Sequence, residues 1–201
     1  MLIDNKFLRY FSLCISTVFI VYVIYLGYNS FFIVKNQFID IDGSTYVNQV
    51  KIDDYTLKLA THLTKKCQGD ERCEVQIMLD FTTAIPYKIN ESIARGAKSV
   101  VKQNFGDCDD KSNLLISLLK VKGYESYFVL VPKHIFVIVK LSKKLKNKKA
   151  LYINKQPYYI LESTAKGSKI GFPLKYKYDE IKAVIDPFQN KKLVVESLEF
   201  R

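Results

Sequence analysis

Three residues in the second half of the chain have the types and the order of a thiol nucleophile, a base and an orienting acid. Cys108 follows Phe105-Gly106-Asp107 and precedes leucines at helical spacing, so it is predicted to open a helix. Backbone N–H groups and the helix dipole at that position favour a thiolate, the reactive form of cysteine. His134 and Glu162 each fall on a predicted strand. If these strands are antiparallel neighbours, the carboxylate can orient the imidazole while the other ring nitrogen faces the sulfur.

Each of these residues also has an interpretation that needs no chemistry. A lone cysteine in a half-apolar chain is usually a small buried hydrophobe, and His134 and Glu162 fit an ordinary loop residue and a surface residue. Asp107, Asp109 and Asp110 oppose a reactive thiol, because neighbouring negative charge raises the pKa of a cysteine. Acidic residues in a first helical turn can instead cap the helix or point away from the sulfur.

The elements that would position these residues are predicted as helices first and strands afterwards. Helical spacing predicts helices from Asp53 to the Cys67–Cys73 turn, from that turn to Pro86, from Glu91 to Gln103, and from Cys108 to Gly123. A period of two predicts strands at Tyr127–Val131, His134–Leu141, Tyr158–Ser163 and Leu193–Phe200, whereas residues 36–52 look irregular around Asp42-Gly43-Ser44. This order predicts an α+β fold, with helices packed on an antiparallel sheet.

The apolar residues are concentrated near the N-terminus. No residue between Arg9 and Lys35 is charged, and about 20 apolar residues in a helix span a bilayer core. Tyr10, Tyr25 and Tyr28 suit the membrane interfaces. No A-x-A-like cleavage site follows the apolar run, which argues against a signal peptide. The sequence therefore predicts an uncleaved transmembrane anchor, with a buried core helix as the alternative.

Flanking charge predicts how this anchor is oriented. Lys6, Arg9 and the terminal amine outweigh Asp4 on the N-terminal side, so the positive-inside rule places the N-terminus in the cytoplasm. We therefore expect a single-pass protein of the bacterial inner membrane. Its predicted parts are a cytoplasmic tail at 1–9, a transmembrane helix at 10–34 and a periplasmic domain at 35–201.

Cys67 and Cys73 flank a short polar turn, Gln-Gly-Asp-Glu-Arg. Two cysteines at this spacing can close a small disulfide loop, which persists only in an oxidising compartment. Two free thiols are the alternative. The four-ligand spacing of a zinc site is absent, and the sequence predicts neither a metal nor a cofactor.

The chain carries a formal net charge of +11, which favours anionic partners. A domain facing outward, with no basic helix, argues against nucleic acid as that partner. Five lysines between the His134 and Glu162 strands fit either a solvated loop or a contact with anionic headgroups or an acidic envelope protein: Lys143, Lys144, Lys146, Lys148 and Lys149.

The segment Gly106-Asp107-Cys108-Asp109-Asp110-Lys111-Ser112 resembles the nucleophile region of the transglutaminase-like cysteine peptidase superfamily. The paired leucines and Gly123-Tyr124 that follow it also fit. In that family the next strand opens with the catalytic histidine, which matches His134, and the following strand carries an acid, which matches Glu162. The turn ending in Ile85-Pro86-Tyr87 is similar to the element that precedes the cysteine. The resemblance covers roughly residues 53–175 and implies a papain/transglutaminase-like core with a Cys–His–Glu triad.

Many members of the family carry aspartate as the third residue, so Asp186 is the alternative to Glu162. An oxyanion hole needs a donor besides the backbone N–H of Cys108, and Tyr87 and Gln103 are the candidates. The resemblance implies hydrolysis of a peptide or side-chain amide of a protein substrate through a Cys108 thioester. The competing hypothesis is a non-catalytic structural or interaction module in a cell-envelope complex, since fold alone does not fix function.

The predicted orientation can be tested by protease protection. Protease added to intact spheroplasts is expected to digest residues 36–201 and to spare an epitope at the N-terminus, because only the tail at 1–9 lies inside. Immunoblots against both ends of the chain, with a cytosolic protein as the control, report the result. Digestion of the domain only after lysis would contradict the orientation.

Overall fold

One long helix, α1 (Lys6–Gln37), forms most of the first of two structural units, which meet at Phe38 and Ile39. The computed structural model describes residues 6–41, 44–90 and 94–201. The segment Arg9–Ser30 is long and apolar enough to cross a membrane, and none of it is buried; a signal sequence shares the same length and composition. The helix extends beyond the predicted 10–34, because lysine, arginine and glutamine at its ends are good helix formers. Asp4 lies outside the described residues.

Two short strands follow the helix, β1 (Phe38–Ile41) and β2 (Ser44–Val47), and pair as a separate sheet; the second unit begins at the second residue of β1. The prediction that residues 36–52 are irregular was wrong here. Both strands contain β-branched and aromatic residues, which favour extended backbone, but they are too short to show a clear period of two. Asp42 and Gly43, the predicted turn, lie outside the described residues.

Four helices follow: α2 (Asp54–Thr64), α3 (Glu71–Ala84), α4 (Ala97–Gln103) and α5 (Cys108–Val121). Asp53, Asp70 and Asp107 cap three of them, each accepting a hydrogen bond from a backbone N–H of the first turn. The helix predicted over 91–103 is shorter, since α4 begins at Ala97, and residues 91–93 lie outside the described part of the chain. Helical spacing predicts Leu57 on the same face of α2 as Ala60, Leu63 and Thr64, but Leu57 is 48% exposed.

The remaining strands form one seven-stranded antiparallel sheet in the order β8-β7-β3-β4-β6-β5-β9. Their bounds are β3 (Ser126–Val131), β4 (His134–Val139), β5 (Leu151–Ile153), β6 (Gln156–Leu161), β7 (Ala183–Asp186), β8 (Lys191–Lys192) and β9 (Leu198–Phe200). The predicted strand at Leu193–Phe200 is reduced to its last three residues. With helices packed on this antiparallel sheet, the fold is α+β, as predicted.

Both faces of the sheet are covered. The leucines of α5 pack on one face against Ile135, Val137 and Val139. The other face, with Phe136 and Ile138, is covered by the segment after β6, which includes a 3₁₀ turn at Tyr178–Glu180. Strands that are buried on both faces read as continuous apolar runs, as β3 and β4 do.

A disulfide between Cys67 and Cys73 closes the turn from α2 to α3. In the chain-entropy model, a loop of this size stabilises the folded state by about 2 kcal/mol. We expect the double substitution Cys67→Ser and Cys73→Ser to lower the free energy of unfolding by about this amount, as measured by urea denaturation of the full chain in detergent. Cys14→Ser, which removes an exposed free thiol, should leave the unfolding midpoint unchanged. An unchanged midpoint in the double variant would contradict the prediction.

Candidate active site

Cys108 is the first residue of α5, and the turn at residues 85–88 lies beside it. Asp107 caps the helix: one carboxylate oxygen accepts from the Asp110 N–H at 3.2 Å and the other from the Asn90 N–H at 3.0 Å. Gly106 pairs with the backbone around Tyr87. A Cβ on Gly106 would lie 2.9 Å from the Asp110 Cβ. Glycine therefore allows the chain to enter α5 this close to the first helical turn.

Arg95 neutralises one of the aspartates next to Cys108. The fully buried Asp110 carboxylate accepts from the Arg95 backbone N–H at 2.7 Å and from its guanidinium at 2.6 Å. The same guanidinium donates to the Phe105 carbonyl at 2.8 Å and to Gln103. Gln103, one oxyanion candidate, is exposed and has its side-chain oxygen engaged by Arg95.

The Cys108 thiol donates a hydrogen bond to the Asp109 carboxylate, with 3.7 Å between Sγ and Oδ1. Burial, then the charges of Asp109 and Asp107, raise the pKa of Cys108 to about 12. Burial and Asp107 likewise raise the pKa of Asp109 to about 6. Our expectation that the helix N-terminus favours a thiolate was therefore wrong for this structure, because burial and two carboxylates outweigh the dipole. At neutral pH the sulfur carries its proton and needs a base to remove it.

His134 and Glu162 lie in hydrogen-bond contact, with 2.9 Å between Nε2 and Oε2. The other oxygen of Glu162 accepts from the Thr164 N–H at 3.1 Å and from its hydroxyl at 2.6 Å. Burial alone would raise the pKa of Glu162, but the bonds from His134 and Thr164 outweigh it, so its pKa lies below the usual value. An ionised carboxylate only accepts, so Nε2 carries the proton. The lone pair of neutral His134 is then on Nδ1, where it can take a proton from sulfur.

Strand register places the imidazole and the carboxylate on the same face. Val137 pairs with Leu161 across β4 and β6, and continuing this register puts Glu162 opposite Phe136 and one diagonal step from His134. Diagonal neighbours on one sheet face are within reach of long side chains. The extra methylene of glutamate relative to aspartate helps to bridge this diagonal.

Ser112 of α5 contacts both of the chain segments that carry His134 and Glu162. It lies one turn after Cys108, and its hydroxyl is 3.0 Å from the Ser163 hydroxyl and 3.5 Å from the Ile135 carbonyl. Both serines are fully buried. In the chain, Ser163 follows Glu162 and Ile135 follows His134. Ser112 therefore contacts the residue after each of these two candidates. Sequence analysis did not find this link, since two serines 51 residues apart give no local signal.

The structure brings the thiol and the imidazole to the same region without joining them. A positive charge on His134 lowers the pKa of Asp109, which accepts the hydrogen bond from the thiol. The ring therefore lies within electrostatic range of that carboxylate. No hydrogen bond between Sγ and the His134 ring occurs in the part of the chain that the structure describes. Direct transfer of the thiol proton to this ring would require the hydrogen bond to Asp109 to break first.

Two tyrosines lie near the thiol. Tyr87 is 55% exposed, and burial of its hydroxyl together with the Cys108 charge raises its pKa. Tyr176 stacks on His134 with 6.2 Å between ring centres. Its pKa is raised by burial and by the charges of Glu162, Glu180 and Cys108. Tyr176 was missed in the sequence, although the alternation Phe172-Leu174-Tyr176 is a signal for a segment packed on a sheet.

The other candidates lie elsewhere. Asp186 ends β7, and its carboxylate accepts from the backbone N–H groups of Phe188 and Gln189. The five lysines at 143–149 are exposed on the loop between β4 and β5, where several of them line a cleft with Arg201. Within residues 6–41, 44–90 and 94–201, no group of three or more His, Cys, Asp or Glu side chains is arranged to hold a metal ion.

Two solved structures are similar to this chain at low identity. A candidate cysteine protease from Cytophaga hutchinsonii gives a TM-score of 0.41 and 14% identity over 74% of this chain, which spans only 50% of that protein. LapG from Legionella pneumophila gives a TM-score of 0.36 and 13% identity, over 69% of this chain and 86% of that protein. No protein-family model and no curated protein matches the sequence. Similarity this distant leaves the function to be inferred from the site itself.

The influence of Asp109 on the thiol can be measured directly. Asp109→Asn removes a negative charge beside Sγ, so the pKa of Cys108 should fall by roughly one unit, which gives about tenfold more thiolate at a fixed pH below that pKa. The pH dependence of iodoacetamide alkylation, measured in a Cys14→Ser background, reports this change. Asp54→Asn, on the exposed start of α2, is the control. An unchanged or slower alkylation of the Asp109 variant would contradict the assignment.

Proposed function

We propose that this protein is a transglutaminase-like thiol hydrolase that cleaves a peptide or side-chain amide through a thioester on Cys108. The observation that carries the proposal is the bond between the ionised Glu162 and Nε2 of His134. This bond occupies Nε2, so Nδ1 is the ring nitrogen that can act as the base. A base oriented by a buried carboxylate has no use in a scaffold, whereas a neutral thiol needs one in order to react.

The mechanism follows from the protonation states. As the thiol turns from Asp109 to His134, Nδ1 takes its proton while sulfur attacks the carbonyl carbon. The Cys108 N–H at the start of α5 and the Tyr87 hydroxyl are the proposed donors to the oxyanion. The imidazolium, stabilised by Glu162, then gives the proton to the leaving amine. Water, deprotonated by the same nitrogen, attacks the thioester and releases the acid.

We further propose that α1 anchors the protein in the bacterial inner membrane and that residues 39–201 act in the periplasm. The apolar, exposed span of α1 supports the anchor. The Cys67–Cys73 disulfide supports an oxidising compartment. The exposed lysines of the β4–β5 loop support an anionic surface or an acidic envelope protein as a further partner.

One observation favours the alternative of a non-catalytic module, namely the resting hydrogen bond of the thiol to Asp109 rather than to His134. A thiol that stayed in this position would be a buried polar group with a satisfied bond and no reactivity. The two hypotheses therefore differ in whether Cys108 can be acylated.

Labelling by a thiol-directed amide-hydrolase probe distinguishes the thiol hydrolase from the non-catalytic module. In a Cys14→Ser background, with Cys67 and Cys73 paired, Cys108 is the remaining free thiol. We expect labelling at neutral pH, none in Cys108→Ala, and a rate lower by roughly 10²–10⁴-fold in His134→Ala, which lacks the base.

Glu162→Gln should lower the rate less than His134→Ala, because the amide oxygen can still accept from Nε2–H but no longer stabilises an imidazolium. Glu196→Gln, an exposed substitution, is the control. A folded protein that is not labelled, or equal labelling of the wild type and His134→Ala, would favour the non-catalytic module.

A further inference from the structure

A cleft of about 220 Å³ lies beside His134 and is not used by the proton transfers described above. Its floor is the outer face of the sheet, where Phe136 and Ile160 are each two residues from the catalytic candidates on the same strand face. His134 and Glu162 form one end of the cleft. The cleft is therefore continuous with the reactive end of the imidazole–carboxylate pair.

A segment at residues 171–177 forms the opposite wall. The backbone N–H groups of Gly171 and Phe172 donate to the Ile160 carbonyl at 3.0 and 3.1 Å, which fixes this segment to β6. Phe172, Leu174 and Tyr176 line the cleft from this side. Tyr176 also stacks on Phe136 with 6.2 Å between ring centres, so the wall is attached at both ends.

The chemistry proposed above decides which part of a substrate lies here. In amide cleavage the acyl part bonds to sulfur, while the imidazole protonates the nitrogen of the leaving amine. The leaving part must therefore lie on the His134 side of the scissile bond. The Tyr176 ring, which lines the cleft, stacks on His134 with 6.2 Å between ring centres, so the cleft lies directly beside the imidazole.

We propose that this cleft binds the side chain of the residue on the amine side of the cleaved bond, and that it selects a bulky apolar residue there. This inference rests on the proposed function and specifies its substrate class: peptides with a leucine- or phenylalanine-like residue directly after the scissile bond.

Size and charge both favour such a residue. An apolar cavity of about 150 Å³ holds benzene, so a cleft of about 220 Å³ accommodates one large side chain. His134 and Thr164 together use three of the roughly four acceptor sites of the Glu162 carboxylate, which leaves little of it to a basic side chain. Lys175 lines the cleft with its Nζ 5.1 Å from the Phe172 ring centre, and its charge disfavours a cation further.

The test begins with a peptide library made by digesting a proteome, incubated with the full-length protein in detergent. Mass spectrometry of the new N-termini identifies the residue after each cleaved bond. We expect bulky apolar residues to be enriched there, and quenched peptides that differ only at this position to be cut at least about tenfold faster with leucine than with glycine.

Ala165→Leu fills the cleft, so the ratio of leucine to glycine peptides should fall towards one, whereas Val194→Leu at an exposed site outside the cleft should leave the ratio unchanged. If Ala165→Leu does not fold, Phe172→Ala enlarges the cleft and should reduce the same ratio. Cleavage without apolar enrichment, or a ratio unaffected by filling the cleft, would overturn the inference while leaving the proposed hydrolase intact. Absence of both cleavage and Cys108 labelling would overturn the proposed function and the cleft assignment with it.

Discussion

The site depends on where β4 and β6 stop pairing. Their pairing ends at Val137 and Leu161, and just beyond it the Ser112 hydroxyl contacts both chains, at the Ile135 carbonyl and the Ser163 hydroxyl. His134 and Glu162 lie past this point, in hydrogen-bond contact with each other. Because Ser112 belongs to α5, the same contacts fix the position of α5 relative to β4 and to the segment that follows β6. One buried hydroxyl thus connects the three elements that carry the proposed chemistry.

Burial and neighbouring negative charge keep the Cys108 thiol protonated. Of the three aspartates that surround Cys108, Asp110 is neutralised by Arg95 and Asp107 is occupied in capping the helix. The Asp109 carboxylate accepts a hydrogen bond from the Cys108 thiol. The fully buried Lys111 donates to the Ile85 carbonyl at 2.8 Å. This hydrogen bond attaches the turn at residues 85–88 to α5. The chain as a whole is basic, yet the immediate surroundings of the sulfur are acidic. In the proposed mechanism, a neutral thiol in such surroundings needs the imidazole as its base.

Much of this was predictable because the signals are local. The leucines of α5 repeat at helical spacing, Asp107 is a strong N-cap, and alternation on β4 and β6 put His134 and Glu162 on shared faces with Phe136 and Ile160. The short strands β5, β7 and β8 were missed because two to four residues cannot show a period. Spacing grouped Leu57 with Ala60, Leu63 and Thr64 on one face of α2, but Leu57 is 48% exposed, because periodicity does not show how far tertiary packing extends along a helix. Tyr176 and the Ser112–Ser163 contact were missed because tertiary packing, not local sequence, brings them to the site.

The diagonal placement of His134 and Glu162 explains why glutamate suits this chain. A directly opposed pair would place the two Cβ atoms about 5 Å apart, whereas a diagonal pair places them about 7–8 Å apart. The longer side chain spans that extra distance while its second oxygen stays bonded to Thr164 two residues later. The Thr164 bonds restrain the carboxylate, and its contact with Nε2 leaves Nδ1 as the nitrogen that the proposed mechanism uses as the base. An aspartate at position 162 is one methylene shorter, so its carboxylate would reach less far towards His134 across the diagonal.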